Sequence, residues 1–194
     1  GKSTKPIGYK DGNNDDNLAR IIKARRSIRS WRARSITKDI FEELVDSARF
    51  APSSCNRQPM FFILTNDREK IRLLSEARKQ GFLVDAPSCI LVLINTEVFD
   101  EKEIGYTPFL DAGAAIENLL LRAHSLGLGA CWVNFGQREV SSIIREKVMM
   151  AYKIPQCYYL ISIIPIGFPE QTPLRPGRKG VGDICSYEEF KGHN

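Results

Sequence analysis

The residues most able to do chemistry in this sequence are concentrated in a basic run near the N-terminus. Seven arginines and lysines fall between positions 20 and 34 with no carboxylate among them: Arg20, Lys23, Arg25, Arg26, Arg29, Arg32 and Arg34. Cations this close repel one another, and a bound anion would relieve that repulsion. Ser27 adds a hydroxyl that can also bind phosphate oxygen. Residues 25–29, called the basic segment below, therefore predict either an anion site or a solvated basic surface.

Two other stretches carry polar or cationic ligands. Residues 51–59 read Ala-Pro-Ser-Ser-Cys-Asn-Arg-Gln-Pro, a loop dense in hydroxyl and amide groups. Residues 169–182 contain three prolines together with Arg175, Arg178 and Lys179. So many prolines disfavour helix and sheet, so this stretch is expected to lie extended on another surface.

Motifs for a protein-based catalyst are not found. The sequence has neither a Gly-x-Gly-x-x-Gly fingerprint after a strand nor a complete phosphate-binding P-loop. His124 and His193 lack the neighbours of a nucleophile or metal pair, and Asp111 and Glu117 are badly spaced for an acid/base pair. The five cysteines are odd in number and widely spaced, which argues against disulfides and metal clusters. We therefore predict no catalytic side chain and no metal, a combination that suits an enzyme whose cofactor carries the reaction.

Bulk composition narrows the class of protein. The chain has 194 residues, a formal net charge of +5 and 43% hydrophobic residues, which is ordinary for one globular domain. No apolar run is long enough to span a bilayer, and the polar N-terminus does not resemble a signal peptide. Trp31 is the only aromatic residue within the basic run, so nucleic acid ranks well below a small anionic ligand. Free cysteines predict a reducing cytoplasm, and no membrane or nucleic-acid partner is expected.

Hydrophobic periodicity predicts the elements that position these residues. A first helix ends near Arg25, and a second begins at Thr37 as N-cap and stops before Pro52. Short apolar runs predict strands, and longer 3.6-residue patterns predict further helices. The predicted strands cover residues 60–64, 89–94, 130–133 and 158–166, and the further helices cover residues 67–80, with Gly81 as stop, 110–126 and 140–148. This order indicates an α+β or mixed α/β single domain.

The helix predicted at residues 110–126 is apolar on nearly every side. Such a helix must be covered all round. It is therefore expected either at the centre of the fold or in a subunit interface.

Taken together, these stretches resemble the nitroreductase family of FMN-dependent oxidoreductases. The resemblance rests on Arg-Arg-Ser-Ile-Arg at residues 25–29, on the loop at 51–59, and on Asp-Ala-Gly-Ala-Ala-Ile-Glu-Asn-Leu-Leu-Leu at 111–121. Gly-Leu-Gly-Ala-Cys-Trp at 127–132 and Gly-Phe-Pro at 167–169 with its basic tail complete it. The motifs occur in the family's order from about residue 18 to residue 184.

The resemblance implies an α+β fold: a three-layer α-β-α sandwich around a central mixed, mainly antiparallel sheet. The polar, turn-rich N-terminus predicts a flexible arm at 1–17, and the resemblance implies one FMN-binding domain at 18–184, followed by a tail at 185–194. It also implies a cytoplasmic homodimer with FMN at the subunit interface. Hydride would pass from NAD(P)H through the flavin to a nitroaromatic, a quinone or another small electrophile in a ping-pong cycle. A sister activity (dehalogenation, ene reduction or dehydrogenation) and a low-turnover flavin-binding or sensor protein are the alternatives.

Residue roles follow from the same resemblance. The phosphate would be bound by Arg25, Arg26 and Ser27, and the pyrimidine edge of the flavin by Arg29. The other subunit would supply a loop to the ribityl chain and ring, and one strand would pass beside the isoalloxazine with backbone N–H near N5. Two tail cations would return to the phosphate. The loop residues are Pro52, Ser53, Ser54, Asn56 and Gln58, the strand residues are Trp132, Val133 and Asn134, and the tail residues are Arg178 and Lys179.

The region before the central helix departs from the family pattern. Residues 97–109 are shorter than the excursion that often lines the family's substrate pocket. Tyr106 and Phe109 are the aromatic candidates there. No motif fixes NADH against NADPH.

Overall fold

The structure, a computed structural model, describes residues 17–136 and 140–190. Five α-helices and five strands are found in these residues. The helices are α1 (Asn17–Ala24), α2 (Lys38–Arg49), α3 (Arg68–Arg78), α4 (Thr107–Ser125) and α5 (Ser142–Ala151). The strands are β1 (Met60–Thr65), β2 (Ser88–Asn95), β3 (Gly129–Ala130), β4 (Val133–Asn134) and β5 (Tyr158–Gly167).

All five strands form one sheet in the order β1-β2-β5-β3, with β4 also paired to β5. Every pairing between these strands is antiparallel. Among the described residues, parallel pairing is limited to a single bridge between Ser27 and Ala130. This bridge brings the basic segment to the edge of the sheet.

Helices cover both faces of the sheet. Alternate residues of β2 point in opposite directions, so Ile90 and Val92 pack on one side and Leu91 and Leu93 on the other. The first side is completed by α2 and α4, and the second by α3 and α5. Burial on both faces explains why β2 reads as a continuous apolar run. The three-layer α-β-α fold class expected from the sequence is confirmed.

One bulge interrupts the central pair of strands. The register between β2 and β5 shifts between Val92 and Leu93, because Val92 pairs with Ser162 and Leu93 with Leu160. Ile161 is therefore the extra residue on β5. A bulge re-aims neighbouring side chains, and this one lies next to the buried Ser162.

Helix boundaries follow local capping with three departures from expectation, one of which is α5, found at Ser142–Ala151 rather than at 140–148. Thr37 caps α2 by accepting a hydrogen bond from the Ile40 N–H, as predicted. The expected stop of α3 at Gly81 is wrong, since Lys79 already adopts the left-handed conformation (φ 52°) that ends the helix. The central helix begins at Thr107 rather than at residue 110, with Pro108 in its first turn.

The chain ends are described only in part. The expected arm at residues 1–17 lies outside the described residues except for Asn17, which begins α1. After β5 the chain runs along the surface to residue 190, with one short 3-10 helix at Val181–Asp183. The boundaries 18–184 and 185–194 stay predictions. Within the described ranges, no helix is both long and apolar enough to cross a bilayer.

Candidate functional site

The basic segment is fixed between the end of α1 and the edge of the sheet. The Arg26 guanidinium donates to the carbonyls of Lys23 (2.8 Å) and Arg25 (2.6 Å), which satisfies acceptors at the C-terminus of α1. The chain then extends, and the Ile28 N–H donates to the Ala130 carbonyl at 3.0 Å. The segment is therefore anchored through its main chain.

The basic segment packs closely against β3. A Cβ at Gly129 would lie 2.7–2.8 Å from three atoms of the Ile28 side chain. The indole N–H of the buried Trp31 donates to the Gly129 carbonyl at 2.8 Å. Gly129 thus allows Ile28, and with it the flanking Ser27 and Arg29, to lie directly against β3.

The basic segment carries the three arginines Arg25, Arg26 and Arg29. Arg25 Nε is 3.7 Å from Glu117 on α4, the one carboxylate paired with the segment in the described part of the chain. His124 lies two helical turns beyond Glu117. Burial, followed by the positive charges of Arg25 and Arg26, lowers the pKa of His124. Burial is the larger cause, and the two guanidinium charges add to it, so a bound anion would offset only their part of the lowering.

Cys131 lies near the arginines of the basic segment. Burial raises the pKa of its thiol, and this outweighs the lowering by Arg29, by a hydrogen bond from Ser27 and by Arg25. The thiol is therefore kept neutral and unreactive beside the cations.

Residues 52–58, called the 52–58 loop below, have a strained backbone. Cys55, Asn56 and Gln58 all have left-handed φ values, of 51°, 54° and 49°. That conformation costs about 1 kcal/mol or more for most residues other than glycine. The Gln58 N–H donates to Ser53 Oγ (3.0 Å), and the Ser54 N–H donates to Asp111 Oδ1 on α4 (3.0 Å). The loop is therefore held in its shape by contacts rather than by local preference.

The strand expected at 130–133 is divided in two at Cys131 and Trp132. The Trp132 indole N–H donates to Ser162 Oγ at 2.9 Å, next to the bulge in β5. The ring also passes α4, since a Cβ at Gly113 would lie 3.7 Å from its outer edge. The tryptophan stays 40% exposed. It gives the site a flat aromatic wall next to β4, where Val133 is buried and Asn134 is exposed.

The structure brings some predicted residues together and leaves others apart. The basic segment pairs with β3 at Ala130, two residues before the predicted strand residues begin at Trp132. The 52–58 loop packs on the start of α4. Arg178 donates to its own neighbour Gly177, and Lys179 is exposed. No hydrogen bond or ion pair between described residues joins these two cations to the basic segment.

The aromatic candidates before α4 are only partly packed. Tyr106 is 68% exposed, and Phe109 is 47% exposed with its ring edge against Tyr159. Both side chains remain available to a ligand or to another chain.

Sequence reasoning missed residues that support the site from a distance. Asp111, Arg57 and Glu103 hold the 52–58 loop, while Glu117 and His124 face the basic segment. One signal was available for Asp111, a carboxylate in an otherwise apolar helix stretch. The seven-residue spacing of Glu117 and His124 places them on one helix face, and this could also have been predicted from the sequence.

Comparison with known proteins places this geometry in a family. A sequence model described as the nitroreductase family matches residues 22–80 and 70–168. The chain belongs to the nitroreductase family.

Individual relatives agree with this assignment. The chain is 34% identical over 153 residues to a provisionally named NADH dehydrogenase/NAD(P)H nitroreductase of Methanothermobacter thermautotrophicus, covering 78% of this chain and 77% of that protein. It is 26% identical over 168 residues to the NADPH-flavin oxidoreductase of Vibrio harveyi, covering 81% and 68%. Among solved structures, the FMN-dependent nitroreductase of Clostridium difficile R20291 superposes with a TM-score of 0.76 at 27% identity, covering 88% and 98% of the two chains.

Proposed function

We propose that this protein is an FMN-dependent oxidoreductase that uses NAD(P)H to reduce a small electrophile such as a nitroaromatic or a quinone. The observation that carries the proposal is the basic segment held against β3 in a chain of the nitroreductase family. Relatives named as a flavin oxidoreductase and an FMN reductase support the cofactor and donor. When bound, FMN would accept hydride from the nicotinamide and return it to the second substrate.

The residues present fit the phosphate of such a cofactor. Arg25 and Arg26 carry guanidinium groups suited to phosphate oxygens, and Ser27 adds an exposed hydroxyl. After burial, the positive charges of Arg25 and Arg26 also lower the pKa of His124. A dianionic phosphate would offset the positive charge of these two arginines.

The rest of the site supports the flavin end of the cofactor. We assign Arg29 to the pyrimidine edge, where a cation stabilises negative charge on the reduced ring. Trp132, Val133 and Asn134 would line the isoalloxazine. The 52–58 loop would approach it with Pro52, Ser53, Ser54, Asn56 and Gln58.

Exposed apolar side chains support assembly with a second copy. Phe109 and Leu110 at the start of α4 are about half exposed, and Leu174 and Phe190 near the C-terminus are more than 90% exposed. Large apolar surface of this kind usually marks an interaction site. We propose a homodimer in which the 52–58 loop completes the partner's cofactor site and the tail cations Arg178 and Lys179 return to the phosphate. With five free cysteines, a reducing cytoplasm is the proposed location.

Four measurements test the proposal. The purified protein is expected to be yellow, to elute as a dimer, and to lose its flavin absorbance on anaerobic addition of NADH or NADPH. A panel of nitroaromatic and quinone acceptors should then restore the absorbance. A colourless protein that cannot be reconstituted with FMN would end the proposal.

The phosphate site has its own test. The double variant Arg25→Ala/Ser27→Ala is expected to lose FMN while keeping its helical circular dichroism. The matched control is Arg20→Ala/Arg32→Ala, which removes positive charge from two exposed positions outside the segment. Equal FMN affinity in both double variants would show that the phosphate binds elsewhere.

A further inference from the structure

An ion pair joins the 52–58 loop to the segment that leads into α4. Arg57 and Glu103 meet through two contacts, Nη1 to Oε1 and Nη2 to Oε2, both 3.1 Å long. The two side chains are only 21% and 27% exposed. A two-pronged pair of this kind fixes orientation as well as distance.

Both partners are themselves held in place. Glu103 Oε2 accepts a hydrogen bond from the Asp100 N–H at 3.1 Å. The Arg57 guanidinium lies over the buried Phe99 ring, 5.5 Å from its centroid. Because further contacts hold both side chains in place, this ion pair differs from a chance contact between two long surface side chains.

The pair acts on Ser54 at the centre of the loop. Arg57 Nη1 also donates to Ser54 Oγ at 3.2 Å, while the Ser54 N–H donates to Asp111 Oδ1 at 3.0 Å. Ser54 is thus held on two sides, by Arg57 within the loop and by Asp111 on α4. The left-handed residues Cys55 and Asn56 follow it directly.

We propose that Arg57 and Glu103 are positioning residues that keep the 52–58 loop in the shape that binds FMN. The inference rests on the proposed function, under which Ser53, Ser54 and Asn56 contact the cofactor. Without the ion pair, the left-handed residues relax toward commoner conformations. Apparent affinity then falls in proportion to the fraction of molecules in the binding-competent shape.

The test is a titration of the apoprotein with FMN, in which binding is monitored by the quenching of flavin fluorescence. Arg57→Met and Glu103→Gln are each expected to weaken FMN binding about tenfold, which corresponds to about 1.4 kcal/mol. The double variant is expected to bind no more weakly than either single variant, because both remove the same interaction. Arg72→Met is the control, since it removes an exposed pair with Glu69 on α3.

Two further readouts separate positioning from general stability. Hydrogen exchange of residues 52–58 in the apoprotein is expected to quicken in both single variants while the strand amides stay protected. Arg57→Lys, which keeps the charge, should recover part of the affinity. If wild-type protein binds FMN and the variants have the FMN affinity of the control, the inference is overturned while the proposed function stands. The same holds if the losses of affinity in the two single variants add in the double variant. A wild-type chain that binds no FMN overturns the proposed function and this inference with it.

Discussion

Gly129→Ala is the substitution whose effect follows most directly from the structure. The new Cβ would lie 2.7 Å from Ile28 Cγ1 and 2.8 Å from both Ile28 Cβ and Cγ2. Ile28 is 7% exposed, and its branched side chain has few alternative rotamers. The methyl group can therefore be accommodated only if Ile28 and its main chain move away from β3.

The size of the effect can be worked out. Overpacking of this kind costs about 1–3 kcal/mol. For a chain of this length, each kcal/mol lowers Tm by about 2–4 °C, so the expected fall is roughly 2–12 °C. FMN affinity should fall as well, because Ser27 and Arg29 flank the displaced residue.

Thermal unfolding with and without FMN is the assay. Gly81→Ala is the control, because nothing lies within 4 Å of a Cβ at that position. Adding Ile28→Ala to Gly129→Ala should cost less than the two single effects together, since the smaller side chain makes room. If Gly129→Ala melts like Gly81→Ala, the close approach does not constrain the segment and the reasoning is refuted.

Three other predictions concern buried or titrating groups. Ser88→Ala removes the fully buried acceptor for the main-chain N–H of Ile36 (2.9 Å) and should destabilise the fold by about 1–3 kcal/mol in denaturant titration; a neutral result would mean that another acceptor serves that N–H. The pKa of His124 is lowered in the folded state, so stability should fall as pH drops below the ordinary value of 6.5, and His124→Gln should lose less Tm than wild type between pH 7.5 and 5.5. Bound FMN should shrink that difference. Burial raises the pKa of the Cys89 thiol to about 12, so a thiol-labelling reagent at pH 8 should modify this cysteine only after unfolding, as mass spectrometry of its peptide would show.

Local chemistry made much of this fold predictable. The period of apolar residues identified the helices and the buried strands, and Thr37 marked the start of α2 because a hydroxyl there can accept from a main-chain N–H. The true start of α4 was missed because Pro108 was not taken as a first-turn residue, a position where its missing N–H costs nothing.

Other features depend on contacts between distant residues and could not be predicted from the sequence. The division of the strand at Trp132 depends on a hydrogen bond to Ser162 beside a bulge. The support of the 52–58 loop depends on Asp111, which accepts a hydrogen bond from the Ser54 N–H although the two residues are 57 positions apart in the sequence. Residue types alone did not show these pairings, although Ser54, Asp111 and Trp132 all lie in stretches on which the family resemblance rests.

The position of β5 in the sheet has a consequence for how the chain folds. β5 pairs with β2, β3 and β4, and its pairs with β2 join residues roughly 60–80 positions apart. Contacts of such long range slow folding. Until residue 167 has left the ribosome, the nascent chain also lacks a complete β5, the strand with which β2, β3 and β4 pair. Until then β2 keeps one unpaired edge and an apolar surface, a combination prone to aggregation. Of the five described strands, the last to be synthesised is the one that joins the earlier strands into a sheet.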